Sequence, residues 1–499
     1  MKKFLYIFIL LCLGQTARGQ NLTDALRLSD YRLQGTARAT AMGNAFGALG
    51  GDFTSASINP AGIGLYRSSE FEFSTAFSSN NTDGRYLVDG TARGNTVSES
   101  KDHLIIPNVG YVATFNTNSN IGSPLVSVNL GIGYNRMNDF NINKRVRGDN
   151  ATTSMLDGFV ENANNGIWDA NYEELASQTD VLLLDTQDNV YWNDLANAGY
   201  GQSQRKSFTQ KGSVDEYVFS LAFNFNHQLY IGATAGIQDV YFKENTSLYE
   251  NDANNNIPGF NDYYFNTHMK TTGTGYNFKI GTIFKPVDQL RLGIAIHTPT
   301  YYDLHDSYYN SMASSITKDD GIHNYEAYSQ YNSYDYDLRT PMKAIFSAAY
   351  VIGKAGLISV DYEYVDYANA KFSDGEDGYD FYNENDDIKE AFKSVGNLHV
   401  GGEYRASDNF SLRCGFEYYP SPYKSYSFDT DQPNGDADTY TYSGGIGWKM
   451  NGFFADLAYK HVEKKDYLYL YPVSSDETAP LGKFKYNQDH ISLTLGFRF

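Results

Sequence analysis

Residues 35–62 read GTARATAMGNAFGALGGDFTSASINPAG, and this stretch decides how the rest of the chain is interpreted. Nearly all of its side chains are small: Gly, Ala, Ser, Thr and Asn. Its large apolar residues are Met42, Phe46, Leu49, Phe53 and Ile58. A segment with so little bulk cannot build a core of its own, and its glycines permit close backbone approaches. We therefore expect it to pack inside a larger structure, which the remaining sequence has to supply.

Residues 1–19 have the pattern of an export signal. Two lysines precede the apolar run Phe4–Leu13, and the small residues Ala17 and Gly19 suit cleavage before Gln20. The apolar run is too short to form a membrane-spanning helix. We therefore predict a signal peptide at 1–19 and a mature chain that leaves the cytoplasm.

The composition restricts the possible functions. The chain carries a formal net charge of −20, which argues against nucleic acid as a partner because binding it requires neutralising phosphates. Cys12 lies in the predicted signal, so Cys414 has no cysteine with which to form an intramolecular disulfide. The 43 tyrosines and 31 phenylalanines favour β-strands.

Apolar residues alternate with small or polar ones through most of the chain after Gly62. Fourteen such segments occur, the first at Phe71–Phe77 and the last at Ile491–Phe499. This period of two predicts strands with one apolar face and one polar face. Short connectors follow the even-numbered segments and long ones follow the odd-numbered segments, as expected of an outer-membrane barrel with periplasmic turns and extracellular loops.

These patterns together predict an all-β protein, a transmembrane antiparallel β-barrel of about 14 strands. Periodicity alone cannot say whether the apolar face of each strand points to lipid or to a core. The export signal, the number of strands and the terminal Phe499 favour the membrane. We assign residues 20–66 to a hatch (plug) in the lumen and residues 67–499 to the barrel, with the longest extracellular loop at 141–212.

The small-residue segment, ending in Asn59-Pro60-Ala61 and followed by fourteen strands, resembles the FadL/TodX family of outer-membrane channels for hydrophobic compounds. Further similarity lies in GIGYNRMNDF (131–140), LGIAIHTPTYY (292–302) and VDYEYVDY (360–367). The resemblance implies that ligand lands among the extracellular loops, enters a pocket beside the hatch, and leaves sideways through a gap at an inward kink of the third strand. It also implies the outer membrane of a Gram-negative bacterium.

The gate residues predicted from this resemblance are Asn59, Pro60, Ala61 and Gly62, at the end of the hatch. Pro60 restricts Asn59 to extended geometry and lacks an amide hydrogen, so the triplet can fix a turn. Two interpretations remain open: the triplet gates the lumen, or it only positions the hatch.

The long loop supplies the candidate capture surface, formed by Met155, Leu156, Phe159, Val160, Ile167 and Trp168. Exposed apolar residues in a loop often mark binding. The alternative is that these residues pack on one another as a lid. Within the lumen, Arg136 and Arg291 are the candidate contacts for a ligand, Arg136 because it would lie near the lateral gap.

No metal site, cofactor or catalytic arrangement is predicted, and we expect no enzymatic activity. The expected partners are a hydrophobic small molecule, outer-membrane lipid and lipopolysaccharide, and the barrel-assembly machinery during insertion. Two functions remain from the sequence. The first is passive uptake of a fatty-acid-like molecule, and the alternative is a non-transporting scaffold that binds an envelope protein partner through its tyrosine-rich loops.

Overall fold

The computed structural model describes residues 22–117, 124–428, 430–472 and 479–499. The predicted signal peptide, residues 1–19, lies outside the described residues.

Fourteen antiparallel strands form a closed barrel in the described part of the chain. They are β1 Glu70–Val88, β2 Val97–Asn116, β3 Leu125–Asp139, β4 Ser203–Phe225, β5 Leu229–Asn251, β6 Phe260–Val287, β7 Leu290–His297, β8 Lys343–Ile352, β9 Gly356–Asp366, β10 Ser394–Arg405, β11 Phe410–Tyr419, β12 Thr439–Met450, β13 Phe453–Tyr469 and β14 Leu481–Arg498. The sheet closes because β1 pairs with β14 from Glu70↔Arg498 to Leu87↔Leu481. The predicted fold class is therefore confirmed.

The faces of the strands show what surrounds the barrel. On β14, Ile491 is 52% exposed and Phe497 48% exposed, whereas Ser492 and Thr494 are buried. The same inversion, apolar outside and polar inside, recurs on the other strands. So large an apolar surface is unstable in water and fits the hydrocarbon layer of a membrane. The fold thus places the polar face in the lumen, where another segment can pack against it.

Several strands continue beyond the apolar belt on the side of the long loops. The predicted loop 141–212 begins and ends in strand, because Ile142–Gly148 pairs with the first residues of β4. Above β7 and β8, Tyr301–Lys318 and Asn332–Arg339 extend the wall, and each is separated from its barrel strand by a short interruption at Pro299 or Pro341. Proline interrupts a ladder because it has no amide hydrogen to donate.

The helices lie in the hatch and in the loops. They are α1 Leu22–Arg27, α2 Ala37–Ala41, α3 Ser55–Ile58, α4 Met155–Asn164, α5 Glu173–Gln178, α6 Asp194–Asn197 and α7 Tyr382–Ala391, with single 3-10 turns at Pro60–Leu65 and Tyr367–Asn369. The shorter extended segments are Thr91–Ala92, Leu183–Asp185, Val190–Trp192, Gly321–Tyr328, Lys371–Ser373, Tyr426–Ser427 and Thr430–Asp431. None of the helices in the described residues is long and apolar enough to cross a membrane.

The small-residue segment is buried within the barrel. Thr36 caps α2 by accepting a hydrogen bond from the Ala39 amide, and the alanines of α2 are fully buried. Phe46 and Phe53 are also fully buried, one against β8 and the other against β2 and β4. Because its other side chains are small, the segment fits close to the inward face of the strands.

Candidate functional site

Asn59 anchors the end of the hatch through three hydrogen bonds. Its amide nitrogen donates to the carbonyl oxygens of Gly47, at 2.6 Å, and Thr282 of β6, at 3.2 Å. Its side-chain oxygen accepts from the Ala61 amide at 3.1 Å. The residue is fully buried, so these bonds replace contacts with water. Asn59 therefore connects two parts of the hatch to the barrel wall.

The wall is shaped to receive this turn. A Cβ atom on Gly281 of β6 would lie 2.0 Å from the Asn59 side-chain oxygen, and one on Gly232 of β5 would lie 2.4 Å from the Pro60 carbonyl carbon. Only glycine permits such approaches. Pro60, Ala61 and Gly62 are buried, and the Gly62 carbonyl accepts a hydrogen bond from the Gly51 amide at 3.0 Å. The structure thus places the four predicted gate residues where the hatch meets β5 and β6.

The hatch also packs against β2 and β3. The ring of Phe53 occupies the space left by two glycines, since a Cβ atom would lie 2.4 Å from the ring at Gly110 of β2 and 2.6 Å at Gly133 of β3. The Asn129 amide of β3 donates to the carbonyls of Ile63, at 2.7 Å, and Tyr66, at 3.0 Å. Phe53 is therefore the side chain that fills the lumen beside these two strands.

Earlier hatch residues bond directly to the upper part of β3. The Arg32 amide donates to the Met137 carbonyl at 2.9 Å, and the Gln34 amide donates to the Arg136 carbonyl at 3.0 Å. The Asn135 side chain donates to the Ser57 hydroxyl at 2.8 Å. The third strand is thus held on its inner side by the hatch.

The ladder between β2 and β3 is incomplete. It runs from Asn116↔Ser127 to Asn108↔Asn135 and stops there, although β2 continues outward to Val97. Pro107, which has no amide hydrogen to donate, directly precedes the last paired residue of β2. Two strands that part in this way leave a gap in the hydrogen-bonded wall.

Side chains cover the unpaired edge. Leu104 is 76% exposed and Ile106 47% exposed on the outer face of β2. His103 Nε2 lies 2.7 Å from a carboxylate oxygen of Asp139 at the end of β3, which joins the two strands beyond the last ladder pair. Separating β2 from β3 beyond the last ladder pair therefore requires breaking side-chain contacts but no backbone hydrogen bonds between the two strands.

A cavity of about 70 Å³ lies between the hatch and the wall. Tyr31, Leu33 and Ile58 line it from the hatch, and Met137 lines it from β3. Met137 is two residues beyond Asn135, the last paired residue of β3, so the cavity reaches the unpaired edge.

Charged residues of the wall border the same cavity and are paired. Lys279 of β6 donates to Glu216 of β4, and the other Glu216 oxygen accepts from the Ser57 hydroxyl at 2.7 Å. Lys343 of β8 lies 3.5 Å from Glu363 of β9. The sequence did not indicate Ser57 or Glu216, and it marked Phe53 only as one of the large apolar residues of the segment. The one sequence signal that could have indicated Glu216 is its position on β4, which alternates with the lipid-facing Tyr217 and Phe219 and so places it on the inner face.

The two arginines proposed as ligand contacts have other partners. Arg136 lies on the face of β3 that carries Leu130 and Ile132, which is the outer face, and its Nε donates to Asp215 at 2.9 Å. Arg291 donates to the Leu49 carbonyl at 2.6 Å and so holds the hatch to β7. Neither lines the 70 Å³ cavity. The expectation that Arg136 faces the lumen is wrong, because it shares the parity of the lipid-facing residues.

The long loop is folded into a compact cap over the barrel. Met155, Leu156 and Phe159 of α4 are buried in one apolar cluster, and Val160 packs against its edge. Ile167 is 42% exposed and Trp168 43% exposed, and both lie outside this cluster. The structure thus divides the six predicted capture residues into a packed group of four and an exposed pair.

The cap contains buried polar groups that hold it together. The Asn162 side chain of α4 donates to Glu173 of α5 at 2.9 Å, and the Asp169 amide donates to the same carboxylate at 3.0 Å. Burial raises the pKa of Glu173 above its ordinary value of 4.5. This carboxylate links the two helices of the cap.

A solved structure shares this fold. A FadL homologue from Pseudomonas aeruginosa superposes with a TM-score of 0.54 at 14% identity, covering 94% of this chain and 99% of that chain. The Pseudomonas putida toluene transporter TodX gives a TM-score of 0.48 at 13% identity, over 93% of this chain and 98% of that chain. No curated protein matches the sequence.

The sequence itself matches a family. Residues 202–496, more than half of the chain, match the family described as outer membrane protein transport protein (OMPP1/FadL/TodX). This match and the lipid-facing barrel place the protein in the outer membrane of a Gram-negative bacterium. The proteins of this family are transport channels and not enzymes, and the chain belongs to the OMPP1/FadL/TodX family of outer-membrane transport proteins.

Proposed function

We propose that this protein takes up hydrophobic small molecules passively, and that they leave the lumen sideways between β2 and β3 into the membrane. One observation carries the proposal: the cavity beside the hatch reaches Met137, immediately beyond the point where the β2–β3 ladder ends. A hydrophobic molecule released there enters lipid without crossing water. Transfer of apolar surface out of water is favourable, so diffusion needs no further energy source.

The size of the cavity indicates that the described conformation is closed. An apolar cavity of about 150 Å³ holds benzene, whereas this one measures about 70 Å³. A ligand as large as a ring or an acyl chain therefore requires the hatch to shift. Ser57 lines the cavity and accepts a hydrogen bond from Asn135 of β3, and Phe53 packs against glycines of β2 and β3, so their movement would enlarge the cavity toward the gap.

Capture is assigned to the exposed pair, Ile167 and Trp168, at the surface of the cap. Trp168 contacts the ring of Tyr191 at 5.5 Å between centroids, which forms a small exposed aromatic surface. The buried residues of α4 hold this surface in place. In this account the loop is both a lid and a landing surface. The non-transporting scaffold is not favoured, because the family is one of transport proteins.

A matched pair of hatch variants tests the exit route. Phe53→Ala removes the ring beside β2 and β3, and Phe46→Ala removes an equally buried ring that packs against β8. Each truncation is expected to destabilise its own contacts by about 3–5 kcal/mol. We expect only Phe53→Ala to raise the uptake of a radiolabelled hydrophobic compound into proteoliposomes.

Two compounds should be compared, a long-chain fatty acid and a monoaromatic hydrocarbon. The proposed exit route requires no contact with a charged head group, so both should use it. Barrel formation in both variants is checked by circular dichroism. Equal uptake by the two variants, or an increase with Phe46→Ala alone, would contradict exit between β2 and β3.

A further inference from the structure

Two polar cavities lie one above the other on the side of the lumen formed by β11–β14. The upper one measures about 270 Å³ and is lined by Gln34 of the hatch, Lys460 of β13 and His490 of β14. The lower one measures about 170 Å³ and is lined by Thr36 of the hatch, Asp456 of β13 and Thr494 of β14. The same three segments therefore line both cavities, in the same order along the barrel.

The partition between the cavities is one layer of side chains thick. On β14 only Ser492 separates His490 from Thr494 on the inward face, and on β13 only Ala458 separates Lys460 from Asp456. Inward-facing neighbours on a strand are about 6.6 Å apart. The hatch closes this layer with Ala37 and Ala41, which pack against Ala458. The partition thus consists largely of methyl groups.

Polar atoms on β14 and on the adjoining β1 lack protein partners. Ser492 Oγ at the partition, His490 Nδ1 beside the upper cavity and Glu72 Oε1 beside the lower cavity are buried and find no hydrogen-bond partner among the described residues. These three residues are 3%, 5% and 3% exposed. A buried polar atom left unpaired costs about 1–3 kcal/mol, and ordered water commonly satisfies such atoms. One of these residues lines the upper cavity, one lines the lower cavity and the third lies at the partition, so water bound to all three would connect the two cavities.

We propose that the barrel contains a second, polar passage along β12–β14, which conducts water and small anions and is separate from the hydrophobic exit between β2 and β3. The upper cavity is more basic than the protein as a whole, which carries a net charge of −20. Its lining contains the cations Arg27, Arg32, Lys144, Lys460, Lys464 and Lys465 against the anions Asp30, Asp139, Glu417 and Asp466. An excess of positive charge in a cleft concentrates anions.

The lower cavity carries a chain of ion pairs along its lining. Arg413 of β11 contacts Glu403 at 2.8 Å and Asp456 at 2.5 Å, and Arg38 of the hatch contacts Glu403 at 3.3 Å. Opposite charges balance here, so the lower cavity adds no strong selectivity. Discrimination between ions is therefore assigned to the upper cavity.

Conductance of the purified protein in planar lipid bilayers, in potassium chloride, tests the proposal. Ala458→Gly removes one methyl group from the partition and should raise the conductance, because it widens the contact between β13 and the hatch alanines. Ser492→Leu fills the same layer and should lower it. Ala349→Gly, an equally buried alanine on β8, is the matched control and should leave it unchanged.

Ion preference is measured from the reversal potential in a salt gradient. The wild type should prefer chloride, and Lys460→Gln should reduce that preference. Cation preference in the wild type, or a conductance that Ala458→Gly does not change, overturns the proposal. If Ser492→Leu does not insert into the membrane, Ala458→Gly still decides the outcome. Uptake of hydrophobic compounds by Ala458→Gly should equal that of the wild type. The conductance and uptake measurements therefore test the polar passage and the hydrophobic exit independently.

Discussion

Replacing Asn59 with alanine removes the three hydrogen bonds that fix the end of the hatch, to Gly47, Thr282 and Ala61. A net value of about 0.5–1.5 kcal/mol for each of the three bonds gives a total of about 1.5–4.5 kcal/mol. The barrel ladder is untouched, so the loss falls on the local structure of the hatch end and on its single bond to Thr282 of β6. At 1.4 kcal/mol per factor of ten, the equilibrium between the closed and opened end of the hatch shifts by roughly 10- to 1,600-fold.

Hydrogen–deuterium exchange followed by mass spectrometry measures this shift directly. Peptides covering residues 47–62 should exchange faster in Asn59→Ala by that factor, while peptides from β12–β14 should not change. Asn44→Ala is the matched control, because Asn44 is a buried hatch asparagine whose side chain bonds to Leu33 and to Glu417 of β11. Exchange in Asn59→Ala within a factor of two of the wild type would refute the anchoring role, and equal acceleration in both variants would refute its specificity.

Three further predictions concern the cap and the strand gap. Because the pKa of Glu173 is higher in the folded cap than in the unfolded chain, protonated Glu173 stabilises the cap fully below about pH 4. This stabilisation is lost as the pH rises through the pKa of the folded state. Glu173→Gln should remove this pH dependence from the thermal unfolding transition monitored by tryptophan fluorescence. Trp168→Ala should weaken ligand capture without lowering the temperature of this unfolding transition. Phe159→Ala should lower that temperature, because it truncates a buried ring that contributes about 3–5 kcal/mol. The reverse pattern would place the landing surface elsewhere. His103→Ala should raise hydrophobic uptake by removing the contact with Asp139 across the unpaired edge, and unchanged uptake would show that this contact does not hold the gap closed.

The barrel was predictable because the membrane imposes a simple rule on each strand. Residues that face lipid must be apolar, so segments such as Ile491–Phe499 show their two faces in the sequence. Outside the apolar belt this rule no longer applies. The first residues of β4, from Ser203 to Gly212, carry Phe208 as their only large apolar side chain, so their sequence shows no alternation and predicts a loop.

The contacts of the hatch were less predictable, since they depend on which strands it meets. Nothing near Phe53 in the sequence indicates Gly110 and Gly133, which lie on two different strands. The position of Arg136 could have been predicted, because two-residue spacing from Ile132 places it on the outer face. Proximity to the gap does not override this parity, because each side chain of a strand points to the opposite face from its neighbours.

Photo-crosslinking with a hydrophobic ligand that carries a diazirine tests the exit route most directly. After irradiation of the protein in membranes, mass spectrometry identifies the labelled residues. The account predicts labels at Leu33 and Met137 in the cavity beside the hatch, and at residues 104–107 on the unpaired edge of β2. Labels confined to the lower cavity, around Arg413 and Asp456, with none on β2 or β3, would contradict lateral release.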